Sequence, residues 1–557
     1  PELIIGKERV DPGIVFIFEG AIKDQIIPNA LHLGEEETNV HIEARVNWDN
    51  KDIPRGTPAG GFIPYLNITA TVTNESSGFK TFVDLKPHIN LVDNLHYARN
   101  ISLPGSINDL YSVQFNIIQP TKVDLALHRD WLNEFGEQFI SNQIFNVGYQ
   151  NFKVRDLAIK VKNVLESQDV FSTINCLRKL GSKIKKIRQG QYEIYGKGLG
   201  SFHCKKNAIL DFGNSGTAAR LITGALSANP NIQVKIKGDK SLNRRSMLKI
   251  VRAMEGFGAE FLPKNKFRFP LTLISSEMPV GIKYNAGISA QIKSAVILAG
   301  LFSYGKTIIF EKIKSRNHTE KMLKHNINAI KIKKGKQNYI EVTGKENLKA
   351  INISVPGDPS SAAFFVALCL LNNNSKLIIK KTHINPTRIG FYKVLQKHGA
   401  KINFRNIKEQ YNEKISDIHI YSSKIKPLKV GREFFVSCQD EFPIMFAIAS
   451  LLRGVSSFKG IEDLKNKESN RIKEMQKILT QIGVKTRTTK DEMKIYGNPN
   501  LEVKKQIVIK DYLKDHRVFM TVIIAALSFG GKWKVHDKES IKTSFPNFLN
   551  IINELKK

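Results

Sequence analysis

The 557-residue sequence predicts a mixed architecture: an antiparallel β-sandwich over residues 1–154, then a larger unit of alternating strands and helices. Three observations carry this. The charge changes sign near residue 155: residues 1–155 hold 13 Lys/Arg against 19 Asp/Glu, net −6, and residues 156–557 hold 72 against 32, net +40. The hydrophobic period changes at the same place, from two-residue alternation to strands leading into apolar helical runs. Strand–turn–helix segments then recur to the C-terminus, which suggests repeated units.

The composition, 41% hydrophobic and 24% charged, supports a buried core in both parts and excludes disorder, collagen and coiled coil. The longest apolar runs, Ala362–Leu371 and Val518–Phe529, are shorter than the roughly 20 residues of a membrane span and read as buried helices. Cys176, Cys204, Cys369 and Cys438 form no CxxC pair, which argues against a disulfide framework or zinc ribbon. The chain opens at Pro1, as a processed chain or a fragment would. The basic blocks at 183–188 and 331–336 lack any helix-turn-helix, zinc-finger or RNP pattern, so nucleic acid is not the expected partner. Small anionic substrates are.

In the first part, Val40, Ile42, Ala44 and Val46 alternate with His41, Glu43 and Arg45, and residues 66–72 alternate likewise. Turn residues punctuate these runs, as in a sandwich. Five histidines fall here: His32, His41, His88, His96 and His128. His41 and Glu43, two apart on a strand, point the same way and can face one metal ion. Any one histidine taken singly reads more readily as a surface or satisfied core residue; the set is more specific than its members.

The segments HIEARV (41–46), IPYLNITATV (63–72), LHYARNISLPG (95–105) and LHRDW (127–131) resemble the periplasmic iron/copper-binding proteins of high-affinity iron uptake. The resemblance implies an immunoglobulin-like sandwich, dimer formation, and a copper or iron site at His41, Glu43, His96 and His128. His88 stands near the family's Met position. That exchange replaces a soft ligand by imidazole and suits Cu(II) or another borderline ion.

In the second part, LDFGNSGTAARL (210–221) runs from a strand end through Gly-Asn-Ser-Gly-Thr into a helix. Free amides at such a helix start favour an anion, although an ordinary capped turn has the same pattern. GDKSLNRRSM (238–247), ISAQIKSAVILAG (288–300), SRNHTEKML (315–323) and VPGDPSSAAFF (355–365) follow, the last an echo of the first of these four. Then come QDEFPIM (439–445), KNKESNRI (465–472), KDHRVFM (514–520) and IKTSFPNF (541–548). So many charged helix starts in one chain suggest convergence on a polyanionic site.

These segments, with NPTR (385–388), closely resemble the EPSP synthases of the second bacterial class, from about Val161 to Lys557. The resemblance implies a two-domain α/β enolpyruvyl transferase fold of βαβαββ repeats, divided here at 155–354 and 355–557. It implies transfer of the enolpyruvyl group of phosphoenolpyruvate to the 5-hydroxyl of shikimate 3-phosphate, with no cofactor, in a cytoplasmic monomer. The implied roles are Asp440 as base at the hydroxyl, and Glu468 with Lys467 as acid/base at the methylene. Asn214, Gly216, Arg245, Arg471, Arg517 and Lys542 would hold phosphoenolpyruvate, with His516 in the same wall. Ser289, Ala290, Gln291 and Arg316 would hold shikimate 3-phosphate. Gly216 further implies a pocket open to glyphosate. The related transferase that acts on UDP-N-acetylglucosamine fits less well, because its catalytic-cysteine motif is missing.

Three departures stand out. Asn470 and Ser246 replace the family's usual Asp and Pro. The family's opening GDKSISHR segment, whose Lys, Ser and Arg contact both substrates, has no counterpart before Val161. The expectation is therefore little synthase turnover from this polypeptide alone. The cytoplasmic and periplasmic families also disagree in compartment, so the join is expected to be a chimera rather than a bifunctional protein. The alternative function is a periplasmic copper/iron-binding accessory.

Overall fold

The computed structural model describes residues 3–21, 25–28, 32–91, 93–107, 109–152, 159–196, 200–324, 329–333, 339–345, 348 and 351–555. The expected join near residue 155 and residues 334–336 of the second basic block lie outside the described residues. The chain forms two compact units. One comprises Pro1–Val161, Ser182–Ser201 and Glu346–Ile353; the other comprises Lys162–Gly181, Phe202–Lys345 and Ser354–Lys557.

The first unit is dominated by strands β1 (Leu3–Val10), β2 (Ile14–Ala21), β3 (Val40–Trp48), β4 (Asn67–Asn74), β5 (Lys80–Asn90), β6 (Asn94–Ile101), β7 (Tyr111–Ile118) and β8 (Gln143–Phe152), with helix α1 (Arg129–Phe135) before β8. They form one sheet in the order β1-β2-β3-β6-β5-β4-β7-β8. Strand β5 changes partner along its length: residues 81–85 pair with β4 and residues 86–90 with β6. The sheet folds over at that point. Phe18 consequently stacks on Phe115 of β7 at 4.3 Å and meets Phe145 of β8 at 5.5 Å. The alternation read from residues 40–46 is present, with Val40, Ile42, Ala44 and Val46 fully buried. The other face departs from the simple expectation of solvent. His41 and Glu43 are also buried, at 6% and 3% exposure, beneath their neighbours on β5 and β6. A smaller sheet in this unit joins β9 (Ile159–Lys162), β10 (Lys183–Arg188), β11 (Gln191–Tyr195) and the short strand Ile353–Ser354.

The second unit begins with α2 (Gln168–Lys179) and then repeats a βαβαββ pattern. The first repeat is β12 (Ala208–Asp211), α3 (Gly216–Ser227), β13 (Gln233–Lys237), α4 (Lys240–Arg244), α5 (Leu248–Glu255), β14 (Glu260–Leu262) and β15 (Leu271–Ile274). The second is β16 (Lys283–Ala286), α6 (Ala290–Phe302), β17 (Lys306–Glu311), α7 (His318–Leu323), β18 (Ile330–Lys333) and β19 (Tyr339–Thr343). After the short strand β20 (Ile353–Ser354), the third comprises α8 (Pro359–Leu371), β21 (Lys376–His383), α9 (Gly390–Lys397), β22 (Lys401–Gln410) and β23 (Glu413–Tyr421), with its strands in the order β21-β23-β22. The fourth is β24 (Lys429–Val430), α10 (Phe435–Cys438), α11 (Phe442–Ser450), β25 (Gly454–Lys459), α12 (Arg471–Gln481), β26 (Lys485–Thr488) and β27 (Glu492–Gly497). Then come β28 (Ile507–Ile509), α13 (His516–Phe529), β29 (Trp533–Val535) and α14 (Phe548–Leu555).

In the first, second and fourth repeats the strands take the order first-second-fourth-third, with the first pair parallel across the intervening helix. The last two strands close each sheet as an antiparallel hairpin. Ahead of β12 the chain order is β9, α2, β10, β11, a repeat without an opening strand and helix among the described residues. The apolar runs become α8 and α13. They pack with α11 as one core that buries most of their residues, as helices rich in apolar side chains require.

Candidate active site and candidate metal centre

In the second unit, α3, α6, α12 and α13 begin in one neighbourhood. Each has a side-chain cap: Ser215 Oγ accepts from Ala218 N at 3.2 Å, Ser289 Oγ from Ile292 N at 3.5 Å, Asn470 Oδ1 from Lys473 N at 3.1 Å, and Asp515 Oδ1 from Arg517 N at 2.9 Å. Helix starts offer amide donors and positive dipole ends to an anion.

Arg471 occupies the middle. Its side chain is 2% exposed and donates from Nε to Asp515 Oδ2 at 3.0 Å, from Nη1 to Asp440 Oδ1 at 3.3 Å and from Nη2 to Glu468 Oε2 at 2.6 Å. Arg316 Nη2 reaches Asp440 Oδ2 at 2.5 Å, and Arg245 Nη1 lies 3.3 Å from Glu468 Oε1. Arg245 also donates to Asn214 Oδ1 at 2.6 Å, and Lys467 Nζ to Gln439 Oε1 at 2.5 Å. Arg220, on α3, donates to Gln291 Oε1 at 2.8 Å, and Gln291 Nε2 donates to Thr217 Oγ1 at 2.8 Å. Arg517 donates to the carbonyl of Ser360 at 3.1 Å.

The electrostatics follow from this pairing. Burial pushes the Asp440 carboxyl up, but Arg316, Lys467, Arg517 and Arg471 outweigh it and hold it well below the usual range. Glu468 is likewise held down against burial by Arg471, Arg245 and His516. Burial lowers Lys467 despite Asp440, and burial with Arg517 brings His516 to about 4. Burial and Asp440 push Glu441 up.

Asp440, Glu468, Lys467, Asn214, Gly216, Arg245, Gln291, Arg316, Arg471, His516 and Arg517 are thus linked through direct contacts or mutual fields. Ser289 and Ala290 precede Gln291 at the start of α6. Lys542 instead pairs with Glu539 and is half exposed. Sequence reading missed Asp515, a fully buried N-cap holding Arg471 and Ser469. It also missed Arg220, which burial and Arg245 bring down to about 10, and Asp169, which burial and Glu468 push up to about 7. An Asp or Ser directly before a helix-forming run was the available signal for the caps.

In the first unit, His41, His88 and His96 present ring nitrogens within 4.8 Å of one another. The sheet register does this: His88 pairs with His96 across β5 and β6, and His41 with Asn100 across β3 and β6. His41 Nδ1 meets Asn100 Oδ1 at 2.8 Å, and His96 Nδ1 meets the carbonyl of Asn94 at 3.0 Å. Both partners are acceptors, so each Nδ1 carries the proton and each Nε2 keeps its lone pair, the usual arrangement around metal-bound imidazole. Glu43 Oε1 lies 3.5 Å from His41 Nε2. Burial holds His41 at about 4, and burial with His41 holds His88 at about 3, so both rings are neutral at neutral pH. His32, not selected from sequence, stacks edgewise on His88 at 4.8 Å. His128 caps α1 at an exposed position and is outside this group.

Comparison with known proteins gives two matches along the chain. Residues 156–552 match the model of EPSP synthase (3-phosphoshikimate 1-carboxyvinyltransferase), and residues 1–154 match that of the Fe2+ transport protein. The 3-phosphoshikimate 1-carboxyvinyltransferases of Paracoccus denitrificans and Zymomonas mobilis are each 36% identical, over 71% of this chain and 88% of their own length. The solved EPSP synthase of Acinetobacter baumannii is 31% identical with a TM-score of 0.62, covering 71% of this chain and 89% of that one. The enolpyruvyl transferase NikO of Streptomyces tendae shares the fold at 11% identity and a TM-score of 0.56. No helix among the described residues is long and apolar enough to cross a membrane.

Proposed function

Because the chain belongs to the EPSP synthase family over residues 156–552, we propose that its second unit carries out enolpyruvyl transfer at the Asp440–Arg471–Glu468 cluster. The observation that carries this reading is the pair of carboxylates tied to one buried guanidinium, with Arg316, Arg245 and Lys467 on their outer sides. Two anionic ligands need many cationic donors, and Arg supplies planar bidentate grips.

The chemistry then divides between the two carboxyls. Asp440 takes the proton of the 5-hydroxyl as its oxygen attacks the second carbon of phosphoenolpyruvate. Glu468 delivers a proton to the methylene carbon, giving the tetrahedral adduct. Glu468 then removes a proton from that carbon, the carbon–oxygen bond to phosphate breaks, the proton held by Asp440 passes to the departing phosphate oxygen, and the enol ether and hydrogen phosphate leave. Without ligands both carboxyls are too acidic for this work, held down by the guanidiniums. Phosphate and carboxylate groups of the ligands draw on the same guanidiniums. Both carboxyls thereby rise toward the values that general acid–base transfer requires.

The Lys, Ser and Arg of the family's opening segment have no counterpart in residues 1–160. Three substrate partners are thereby missing, and turnover is reduced by orders of magnitude. Purified chain supplied with both substrates and assayed for phosphate release tests this; turnover at ordinary enzyme rates would overturn the reduction. Calorimetric binding of shikimate 3-phosphate tests the site itself, and no binding at millimolar ligand would sink the reading. The two halves of the transferase fall at 155–354 and 355–557, in a cytoplasmic monomer.

A second reading belongs to the first unit. Its three neutral imidazoles, with Nδ1 of His41 and His96 facing acceptors, fit Cu(II) or Fe(II) held by His41, His88 and His96 with Glu43 beside them. On this reading the fold is an immunoglobulin-like sandwich, dimeric and periplasmic. Sequencing source DNA across codons 145–170 distinguishes a gene fusion from an assembly of unrelated pieces.

A further inference from the structure

A second group of possible metal ligands lies in the second unit. His318 at the start of α7, His383 at the end of β21 and Glu413 at the start of β23 place donor atoms within 4.8 Å of one another. Glu413 Oε1 is 2.8 Å from His318 Nδ1, and Oε2 is 3.1 Å from His383 Nε2. The spacing is that of a metal site with two imidazoles and one carboxylate, but the surroundings are the reverse of those in the first unit. The far nitrogen of His318, Nε2, faces Arg388 Nη1 at 3.4 Å, and the far nitrogen of His383, Nδ1, faces the amide of Asn385 at 3.5 Å. Both neighbours are donors. His318 therefore keeps its Nε2 lone pair outward and donates its Nδ1–H to Glu413, and His383 accepts from Asn385 at Nδ1, on the side away from Glu413. A metal-bound imidazole requires the opposite. Two cations, Lys321 at 2.9 Å from Oε2 and Arg388, also oppose a metal ion. The group is a carboxylate hub with donors converging on it, joined by Asn385 Nδ2 at 3.1 and 3.2 Å.

The hub grips the ground on which Arg316 stands. His318 and Lys321 belong to α7, directly after Arg316. Asn385 also donates to Asn317 Oδ1 at 2.7 Å, and Asn412 donates to the carbonyl of Lys321 at 3.3 Å. On the other side, Ser315 is held by Glu311 Oε1 through its amide at 2.8 Å and its hydroxyl at 3.0 Å, with buried Lys293 on the same oxygen at 2.7 Å. Residues 315, 317 and 318 are each fixed, two of them by residues from beyond position 380. Arg316 alone is left to point at Asp440.

We propose that Glu413 is a positioning residue for the transferase site: by accepting from His318, Lys321 and Asn385, with His383 at ion-pair distance, it holds the Arg316 arm opposite Asp440. This rests on the enolpyruvyl-transfer reading only in so far as Arg316 serves the substrate. Removing Glu413 frees α7 and its preceding loop and takes the acceptor from His318 and Lys321.

The test uses the full chain with Glu413→Ala, Glu413→Gln and Asn385→Ala. Amide hydrogen exchange is followed over residues 312–323, where protection reports local opening. The expected result is exchange faster by about tenfold in Glu413→Ala, with a smaller effect in Asn385→Ala and little change in residues 40–118. Shikimate 3-phosphate affinity should fall about tenfold and phosphoenolpyruvate affinity less than twofold, a size usual for residues that act through others. The double variant Glu413→Ala/Arg316→Ala should bind no worse than Arg316→Ala alone. Unchanged exchange over 312–323, or a fully additive double variant, overturns the proposal. If Glu413→Ala does not fold, Glu413→Gln and Asn385→Ala decide by the same measures. If the unaltered chain fails to bind shikimate 3-phosphate, the transferase reading falls and the exchange result alone judges Glu413.

Discussion

Arg471 Nη2 lies 2.6 Å from Glu468 Oε2, three residues away at the start of one helix, while its Nε is held 3.0 Å from Asp515. The guanidinium is therefore shared between a helix cap and the carboxylate proposed to move protons. Replacing it with Met leaves Asp515, Glu468 and Asp440 without their common cation. Breaking a buried pair from one side typically costs about 3–5 kcal/mol. Arg471→Met should lose that amount of stability, read as a lower urea midpoint reported by Trp533, which lies in the second unit. A midpoint within error of the unaltered chain would show that Arg471 is not the anchor described.

Acid should weaken the two units over different ranges. Burial holds His41 at about 4 in the folded chain, against an ordinary 6.5. Below 6.5 the unfolded chain takes up a proton that the native one does not, so stability falls as pH drops toward 4. For His41 alone this is about 2 kcal/mol by pH 5. In the second unit, Asp440 and Glu468 are held below the ordinary carboxylate range. Their contribution is complete above about pH 4.5 and is lost as pH falls below it; His516, at about 4, loses stability from pH 6.5 as His41 does, and Asp169, raised to about 7, gains it over the same range and offsets that loss. Urea midpoints from Trp48 and Trp131 should decline from pH 6.5, and those from Trp533 only below 4.5. Ni2+ should protect the first unit alone, because metal binds the neutral rings of the native state. Simultaneous decline of both signals from pH 6.5 would contradict this division.

Much of the candidate site was legible in the sequence because it is built from local units. Each reactive residue stands in a short charged segment before an apolar helix, and Asp239 and Asp358 cap their helices just as the GDKS and GDPS echo suggests. The strands of the first unit were legible through alternation. What stayed hidden depends on register and on distant pairing. His41 and Glu43 were assigned a strand face, but nothing local says that β5 and β6 cover it. Arg220 and Gln291 are 71 positions apart, and His318 and Glu413 are 95. Glu413 sits in a polar hairpin with no helix or motif to mark it, so only the fold reveals that donors from three other residues meet there.

The acceptors behind the histidines of the first unit should matter nearly as much as the histidines. Asn100 Oδ1 takes the proton side of His41 and thereby fixes which nitrogen is open. Asn100→Leu keeps the volume and removes the acceptor. Loss of such an outer partner costs about 10–100-fold in metal affinity. Calorimetric titration with Cu2+ should show that loss for Asn100→Leu and a larger one for His96→Ala. Equal affinity in the unaltered chain and in His96→Ala would remove the metal assignment.

A methyl group at position 216 would act through Arg220. The Cβ of Gly216→Ala falls 2.7 Å from Arg220 Nη1 and 3.2 Å from Arg245 Nη1, and 3.8 Å from Leu242. Backbone is not among the atoms it meets, so the helix can stay and the guanidiniums must move. Arg220 cannot shift without lengthening its 2.8 Å bond to Gln291 and its 3.0 Å bond to the carbonyl of Gly216. The change therefore crowds the space beside Asn214 and loosens Gln291 at the start of α6, touching both ligand sides at once. Phosphoenolpyruvate should bind about tenfold more weakly, and glyphosate, the bulkier occupant, should lose more. Competition between the two ligands, followed by protein fluorescence in the unaltered chain and in Gly216→Ala, measures the difference. Equal glyphosate affinity in both proteins would mean that Arg220 yields freely and that Gly216 does not shape the pocket.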